Sequence, residues 1–212
     1  MKKLILSICV LSLVSIGVSQ ASAAKWAGVK GGINMADFGG SDAPDNTSMR
    51  NAFAGGAFFG WGINEQFGIQ IEGLYMSKGA KGKDDSGGTP VDATVKLDYI
   101  EFPILFAVRF PAGEKLAFDI FAGPTLGFNI KAEYEAGGET QDVKDETESF
   151  EFGAAFGGGF YYMLESFSIL ADVRYGIGAT TTQKDFEGQS YDVKNKGIGI
   201  MVGVAFPLGS NQ

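Results

Sequence analysis

Eight segments of this chain alternate bulky apolar residues with small or polar ones, and nothing else in the sequence restricts the fold as strongly. Residues 167–178, FSILADVRYGIG, set the pattern: Phe167, Ile169, Ala171, Val173, Tyr175 and Ile177 share one face, while Asp172 and Arg174 share the other. The other segments are 27–35, 52–63, 67–77, 96–110, 117–131, 150–162 and 196–206. Most reach the ~9 to 11 residues that a tilted strand needs to cross a bilayer, where strands of soluble sheets run to ~5 or 6. The expected fold is all-β.

The two faces decide which way the sheet is turned. One carries bulky residues such as Phe59, Ile71, Phe106, Ile120, Phe156 and Val202, with no charge among them. The other carries Lys30, Glu72, Glu101, Arg109, Asp119, Glu151, Asp172 and Arg174, with Asn34, Asn129 and Lys131, among many glycines. A soluble, lipocalin-like barrel would need its apolar face inside, and eight strands enclose too little volume for so many large side chains. The bulky face must point outward into lipid, which also requires a closed barrel, because hydrocarbon leaves no partner for a free strand edge.

The connections alternate in kind. Asn64-Glu65-Gln66, 111–115 and Glu165-Ser166 are tight turns, whereas 38–50, 79–94, 135–149 and 179–195 read as long polar loops. Short turns at one end and long loops at the other describe an eight-stranded antiparallel up-and-down transmembrane β-barrel with both termini on the periplasmic side. Aromatic girdles are expected at the strand ends: Trp26, Trp61, Phe67, Phe110, Tyr162 and Phe167 on the turn side, Tyr75, Tyr99 and Phe150 on the loop side.

Residues 1–23 read as a cleavable signal peptide: Lys2 and Lys3, an apolar run from Leu4 to Val18, then Ala21-Ser22-Ala23. The barrel domain is expected over 24–212. Cys9, the single cysteine, falls in the leader and follows Ile8, where a lipoprotein acceptor would want a small residue. The exported chain therefore has no thiol chemistry. Without the two leader lysines, 15 basic face 25 acidic residues, about −10 net, which argues against nucleic acid as a partner.

The eight polar-face charges are expected to form a network, because unpaired charges in a narrow interior are costly. Pairing through the 165–166 turn sets Gly159 opposite Asp172 and Gly157 opposite Arg174, and the glycines read as making room for those side chains. Arg109 and Asp119 are opposed or one diagonal step apart. Such a lumen is either a polar conduit for small solutes or a plug that specifies the closed barrel, and small barrels are usually filled. The acid-rich stretch 133–151 and the mixed-charge stretch 81–92 lack the ordered ligand spacing of a calcium loop, so no metal or cofactor is expected. The glycine runs 157–159 and 197–203 open no helix, which removes a dinucleotide site.

The runs VKGGINMADF, IQIEGLYMSKGAK, LDYIEFPILFAVRF and FDIFAGPTLGF, in that order, resemble the outer membrane protein β-barrel domain family, also labelled porin-family or PorT-like. The matching positions are Tyr75 to Gly79, Tyr99 to Pro103 and Ala122 to Gly127. The resemblance covers essentially the whole mature chain. It departs at the end, where Phe206 is followed by PLGSNQ instead of closing the last strand.

The resemblance implies an eight-stranded barrel of the Gram-negative outer membrane without an assigned reaction. Its partners would be outer-membrane lipid and lipopolysaccharide, with periplasmic chaperones and the barrel-assembly machinery during biogenesis. A structural or interaction barrel, or a narrow pore, is the leading functional expectation. An adhesin or ligand-binding barrel acting through the loops is the alternative. A hydrolase would have to work without histidine, since the chain has none. An acid-only hydrolase stays open, though the loop acids show no distinctive arrangement.

Overall fold

The computed structural model describes residues 24–84, 88–185 and 189–209. The leader reading, with Cys9, lies outside these residues. Strands β1 (Lys25–Gly39), β2 (Ser48–Gly62), β3 (Phe67–Asp84), β4 (Val91–Pro111) and β5 (Leu116–Ala136) follow one another, then a short β6 (Glu139–Asp142), a 3-10 turn (Lys144–Glu146), β7 (Phe150–Met163), β8 (Ser168–Gly178) and β9 (Lys194–Leu208). The neighbour order is β4-β3-β2-β1-β9-β8-β7-β5, and β4 also pairs with β5, so eight antiparallel strands close into a ring. The strip β6 only extends β5 beyond the ring. Closure satisfies the edges of the sheet internally, which is the condition for placing backbone in hydrocarbon.

At the level of the bilayer, the outer wall is the apolar face. Phe106, Ile120, Phe156, Val173 and Val202 all project outward and stay exposed. Neighbouring aromatics pack across the pairing, as with Phe118 and Phe160 (ring centroids 5.4 Å) or Phe128 and Phe150 (5.5 Å). The turns are tight. Asn64 accepts from the N–H groups of Gln66 and Phe67 through its side-chain oxygen, and Gly113 takes φ +88° in the next turn, a left-handed conformation suited to glycine.

Several expectations need correction. The stretch 79–94 is largely paired strand, since β3 and β4 stay in register out to Asp84 opposite Val91; the polar composition there reflects strands standing above the bilayer, where water wets their outer face. The stretch 135–149 likewise contains the end of β5, β6 and a helical turn.

Trp26 and Tyr99 belong to no girdle. Both lie on the inward parity: Trp26 rests over Gly60, where an added Cβ would come within 1.9 Å of its ring, and Tyr99 is fully buried. Trp61, Phe67, Phe110 and Tyr162 do face outward.

Lys131 points outward, because the β4–β5 register slips between Asp98 and Tyr99, which reverses the sidedness of β5 beyond Ile130. Gly157 and Gly159 do stand opposite Arg174 and Asp172. Gly157, however, serves a close backbone approach: an added Cβ would meet the Val173 carbonyl at 2.2 Å. The glycine that accommodates the Arg174 stem is Gly199 on β9, its other neighbour, with 3.0 Å to Cγ.

Candidate functional site

The inward parity of the eight strands stacks three groups of charge along the axis. Nearest the turns, Arg109 of β4 donates to Asp119 of β5 through Nε and Nη2, both at 2.8 Å, from directly opposed positions. Its guanidinium lies between two rings, 5.3 Å from Trp26 and 4.7 Å from Tyr161. A planar, forked cation is the side chain suited to that place.

At mid-height, Lys30 Nζ donates to Glu72 (2.7 Å) and Asp172 (2.9 Å). Arg174 reaches the same two carboxylates from the other side: Nη1 and Nη2 to Glu72 at 2.6 and 3.2 Å, Nε and Nη2 to Asp172 at 3.0 Å each. Two cations and two anions thus share one closed group, and all four residues are buried. Phe58 and Phe121 cap the cations at 5.5 and 5.2 Å. Each cation is flanked by glycine on both neighbouring strands: Gly56 and Gly203 beside Lys30, Gly157 and Gly199 beside Arg174. Of these, Gly203 and Gly199 make room for the two stems, since an added Cβ would come within 2.7 Å of Lys30 Cβ and 3.0 Å of Arg174 Cγ, whereas Gly56 and Gly157 lie against backbone carbonyls of the neighbouring strands.

Towards the loops, Lys78 bridges Glu101 and Glu151, the second at 2.6 Å, and lies 5.0 Å from the Tyr99 ring. Asn195 donates to Glu151 and, at 3.3 Å, to the Tyr99 hydroxyl. Between this group and the one below is a cavity of about 30 Å³ bordered by Asn34, Thr125, Glu151, Arg174 and Asn195, room for a water or two. The side-chain oxygen of Asn195 is buried without a partner.

The eight charges singled out from the sequence are therefore distributed over all three groups. Arg109 meets Asp119, Lys30 and Arg174 meet Glu72 and Asp172, and Glu101 and Glu151 meet a cation that the sequence reading leaves out. Lys78 shares the parity of Gln70 and Glu72, but β3 runs past Ser77, the last residue of the segment read from the alternation. Carrying the same period further along the strand finds it. Asn195 lies in a stretch that reads as loop, and Tyr99 at a position that reads as girdle.

Beyond the third group the interior changes character. Phe38, Ala80, Leu97, Tyr99, Ala132 and Val193 form a buried apolar cluster. Above it is a cavity of about 370 Å³, bordered by Phe38, Val95, Leu97, Val143 and Val193 together with polar groups from the loops. The chain turns over this mouth are tied to one another: Ser41 N–H donates to the Asp192 carboxylate (3.0 Å), and Asp192 N–H to that of Asp42 (2.8 Å). The Lys194 ammonium and these Ser41 donors hold the Asp192 carboxyl below its usual range. A hydrogen bond to Asp84 (2.6 Å) pushes the Tyr134 hydroxyl up.

A family model described as outer membrane protein beta-barrel domain matches residues 19–182. The chain belongs to that family. It is accordingly an integral β-barrel protein of the outer membrane. No curated protein matches it. Among solved structures, it is similar to a major outer membrane protein from Thermus thermophilus, with 12% identity over 88% of this chain and 100% of that one and a TM-score of 0.56. It is also similar to OprG from Pseudomonas aeruginosa, with 12% identity, 89% and 97% coverage and a TM-score of 0.51. A third, more distant likeness is to Ail of Yersinia pestis, solved in complex with the heparin analogue sucrose octasulfate (14% identity, 87% and 99% coverage, TM-score 0.41). At such identities the likeness is one of fold.

Proposed function

We propose that this protein is a non-conducting barrel of the outer membrane, a structural and interaction barrel that works through its loop-side mouth and catalyses no reaction. The observation that carries this reading is the mid-height group, in which Arg174 makes four hydrogen bonds to Glu72 and Asp172 while Lys30 closes the same pair. An ion crossing there would have to displace charges that are buried and mutually satisfied. Breaking such a pair costs roughly 3 to 5 kcal/mol. The apolar exterior favours lipid and lipopolysaccharide as the surrounding partners, with periplasmic chaperones and the barrel-assembly machinery needed to deliver it. The absence of histidine from the sequence supports a role without general base chemistry.

Planar-bilayer recording tests the proposal. Purified protein is expected to give no unitary steps under an applied potential, and the double variant Lys30→Ala/Arg174→Ala is expected to open discrete ones. Steps from the unaltered protein whose size changes in Arg109→Ala or Arg174→Ala would establish a conduit instead.

A further inference from the structure

The mouth cavity has the size of a small-molecule site, about 370 Å³ against the roughly 300 to 1,000 Å³ usual for one. Its deep wall is apolar: Phe38, Leu97 and Val193 from the barrel strands and loop, with Val143 and Val95 packed against them. The inner end of that cluster is Tyr99, which sits against the Lys78, Glu101 and Glu151 group, so the space has a floor and does not continue down the axis.

The polar groups around it are biased in one direction. The Thr147 hydroxyl donates to the Val143 carbonyl (2.8 Å), that of Thr182 to the Val193 carbonyl (3.1 Å), and that of Tyr134 to Asp84 (2.6 Å). With its hydrogen committed, each of these oxygens can only accept a further bond. Asp42 and Glu146 add two carboxylates, and among the described residues no lysine or arginine borders the cavity. Of the side chains described there, only the amides of Gln141 and Gln183 bring free donors. The combination calls for a guest that is apolar over most of its surface and brings its own donor and a positive charge.

We propose that the loop-side mouth of the barrel is a binding site for a compact apolar molecule bearing an ammonium group, the apolar body seated against Phe38, Leu97 and Val193 and the cation among the Asp42, Glu146, Thr147 and Thr182 oxygens. The proposal deepens the reading of the protein as an interaction barrel and rests on it, because a floor below the site makes it a receptor and not the vestibule of a channel.

The test uses three rigid probes of one shape, adamantan-1-ammonium, 1-adamantanol and adamantane-1-carboxylate, titrated calorimetrically into the full mature protein in lipid nanodiscs, with empty nanodiscs as the blank. The ammonium is expected to bind about tenfold more tightly than the alcohol, and the carboxylate least, as a charge-assisted hydrogen bond in a half-buried site predicts. Val143→Trp, which fills the cavity from a loop position outside the barrel wall, is expected to abolish binding of the ammonium and the alcohol alike. Glu146→Lys, at an exposed position of the 3-10 turn, is expected to weaken the ammonium far more than the alcohol and so erase the preference between them.

Heat equal to the blank for every probe, equal affinity for all three, or full binding by Val143→Trp would overturn the site. None of these results bears on conductance. A barrel that passes current which the ammonium then blocks would instead overturn the closed floor and, with it, the non-conducting reading.

Discussion

The midsection and the mouth of this barrel are built on the same strands with opposite polarity. At the level of the bilayer, Val173 and Ile200 face out and Arg174, Glu72 and Lys30 face in. Above it, Lys81, Lys83 and Lys131 stand on the outside while Ala80, Leu97 and Ala132 fill the inside. Side-chain alternation is the same at both levels. What differs is the solvent: hydrocarbon favours an apolar exterior and leaves the lumen to mutually paired charges, whereas water above the membrane restores the ordinary arrangement of apolar residues inside. On β5 the reversal coincides with the slip at Ile130, which puts Ile130 and Lys131 both on the outside before Ala132 turns in.

The comparison would break most sharply at Arg174. Arg174→Met leaves Glu72 and Asp172 to share Lys30 alone, a buried excess of negative charge, and is expected to destabilise the barrel by roughly 3 to 5 kcal/mol. Urea unfolding in lipid vesicles, followed by tryptophan fluorescence, measures it. Adding Glu72→Met removes the surplus anion, leaves Lys30 paired with Asp172, and should recover most of the loss. A double variant no better than the single one would mean that packing, and not charge balance, sets the cost.

Next in size is the same chemistry one residue away. Val173 neighbours Arg174 in sequence but faces lipid, so Val173→Arg is expected to cost about 2 to 4 kcal/mol in the same assay. Lys131→Phe, on the outer face above the slip, should change stability by less than about 0.5 kcal/mol. Comparable costs at the two positions would contradict the assignment of lipid and water to the two levels.

These contrasts also show what can be read from the residues alone. Alternation exposes the eight strands and the outward apolar face, and narrows Arg109 and Asp119 to opposed or diagonal positions, because period-two patterning survives wherever one face meets lipid. The same rule falters at the upper ends of β3 and β4. There the outer face is wet, so Lys81, Lys83 and Asp92 look like loop, and Lys78 is lost with them. Tyr99 and Trp26 mislead for a different reason: an aromatic near a strand end satisfies the girdle pattern whichever way it points, and only its parity with Glu101 or Lys30 distinguishes the lumen. The slip at Ile130, which moves Lys131 outside, depends on how two strands meet and leaves no mark in either one.

The turn-side group gives a smaller effect, because Arg109 is partly open to solvent. Arg109→Lys keeps the charge but loses the fork to Asp119 and the stacking between Trp26 and Tyr161. A loss of about 1 to 2 kcal/mol is expected, read by the same unfolding assay. Since Trp26 rests on this guanidinium, its fluorescence should also shift in the folded variant. An unchanged spectrum would place the ring elsewhere.

The smallest effect is expected at the outermost point, where the clasp of Ser41, Asp42 and Asp192 is fully wet. Lys194 and the Ser41 donors lower the Asp192 carboxyl below its unfolded value of 3.8. A lowered native value means that the clasp contributes fully above that figure and weakens as pH falls through the native one, when the carboxyl takes up a proton and loses its charge-assisted hold on Lys194 and the Ser41 amide. Between pH 7 and 5 nothing should change. Below about pH 3.8 the Ser41 amide should lose hydrogen-exchange protection while Gly199 and Met201 in the barrel wall keep theirs. Asp192→Asn should reproduce the loosened clasp at pH 7. If acid loosened wall and clasp together, the mouth would not be the separately stabilised, water-governed region that its reversed polarity implies.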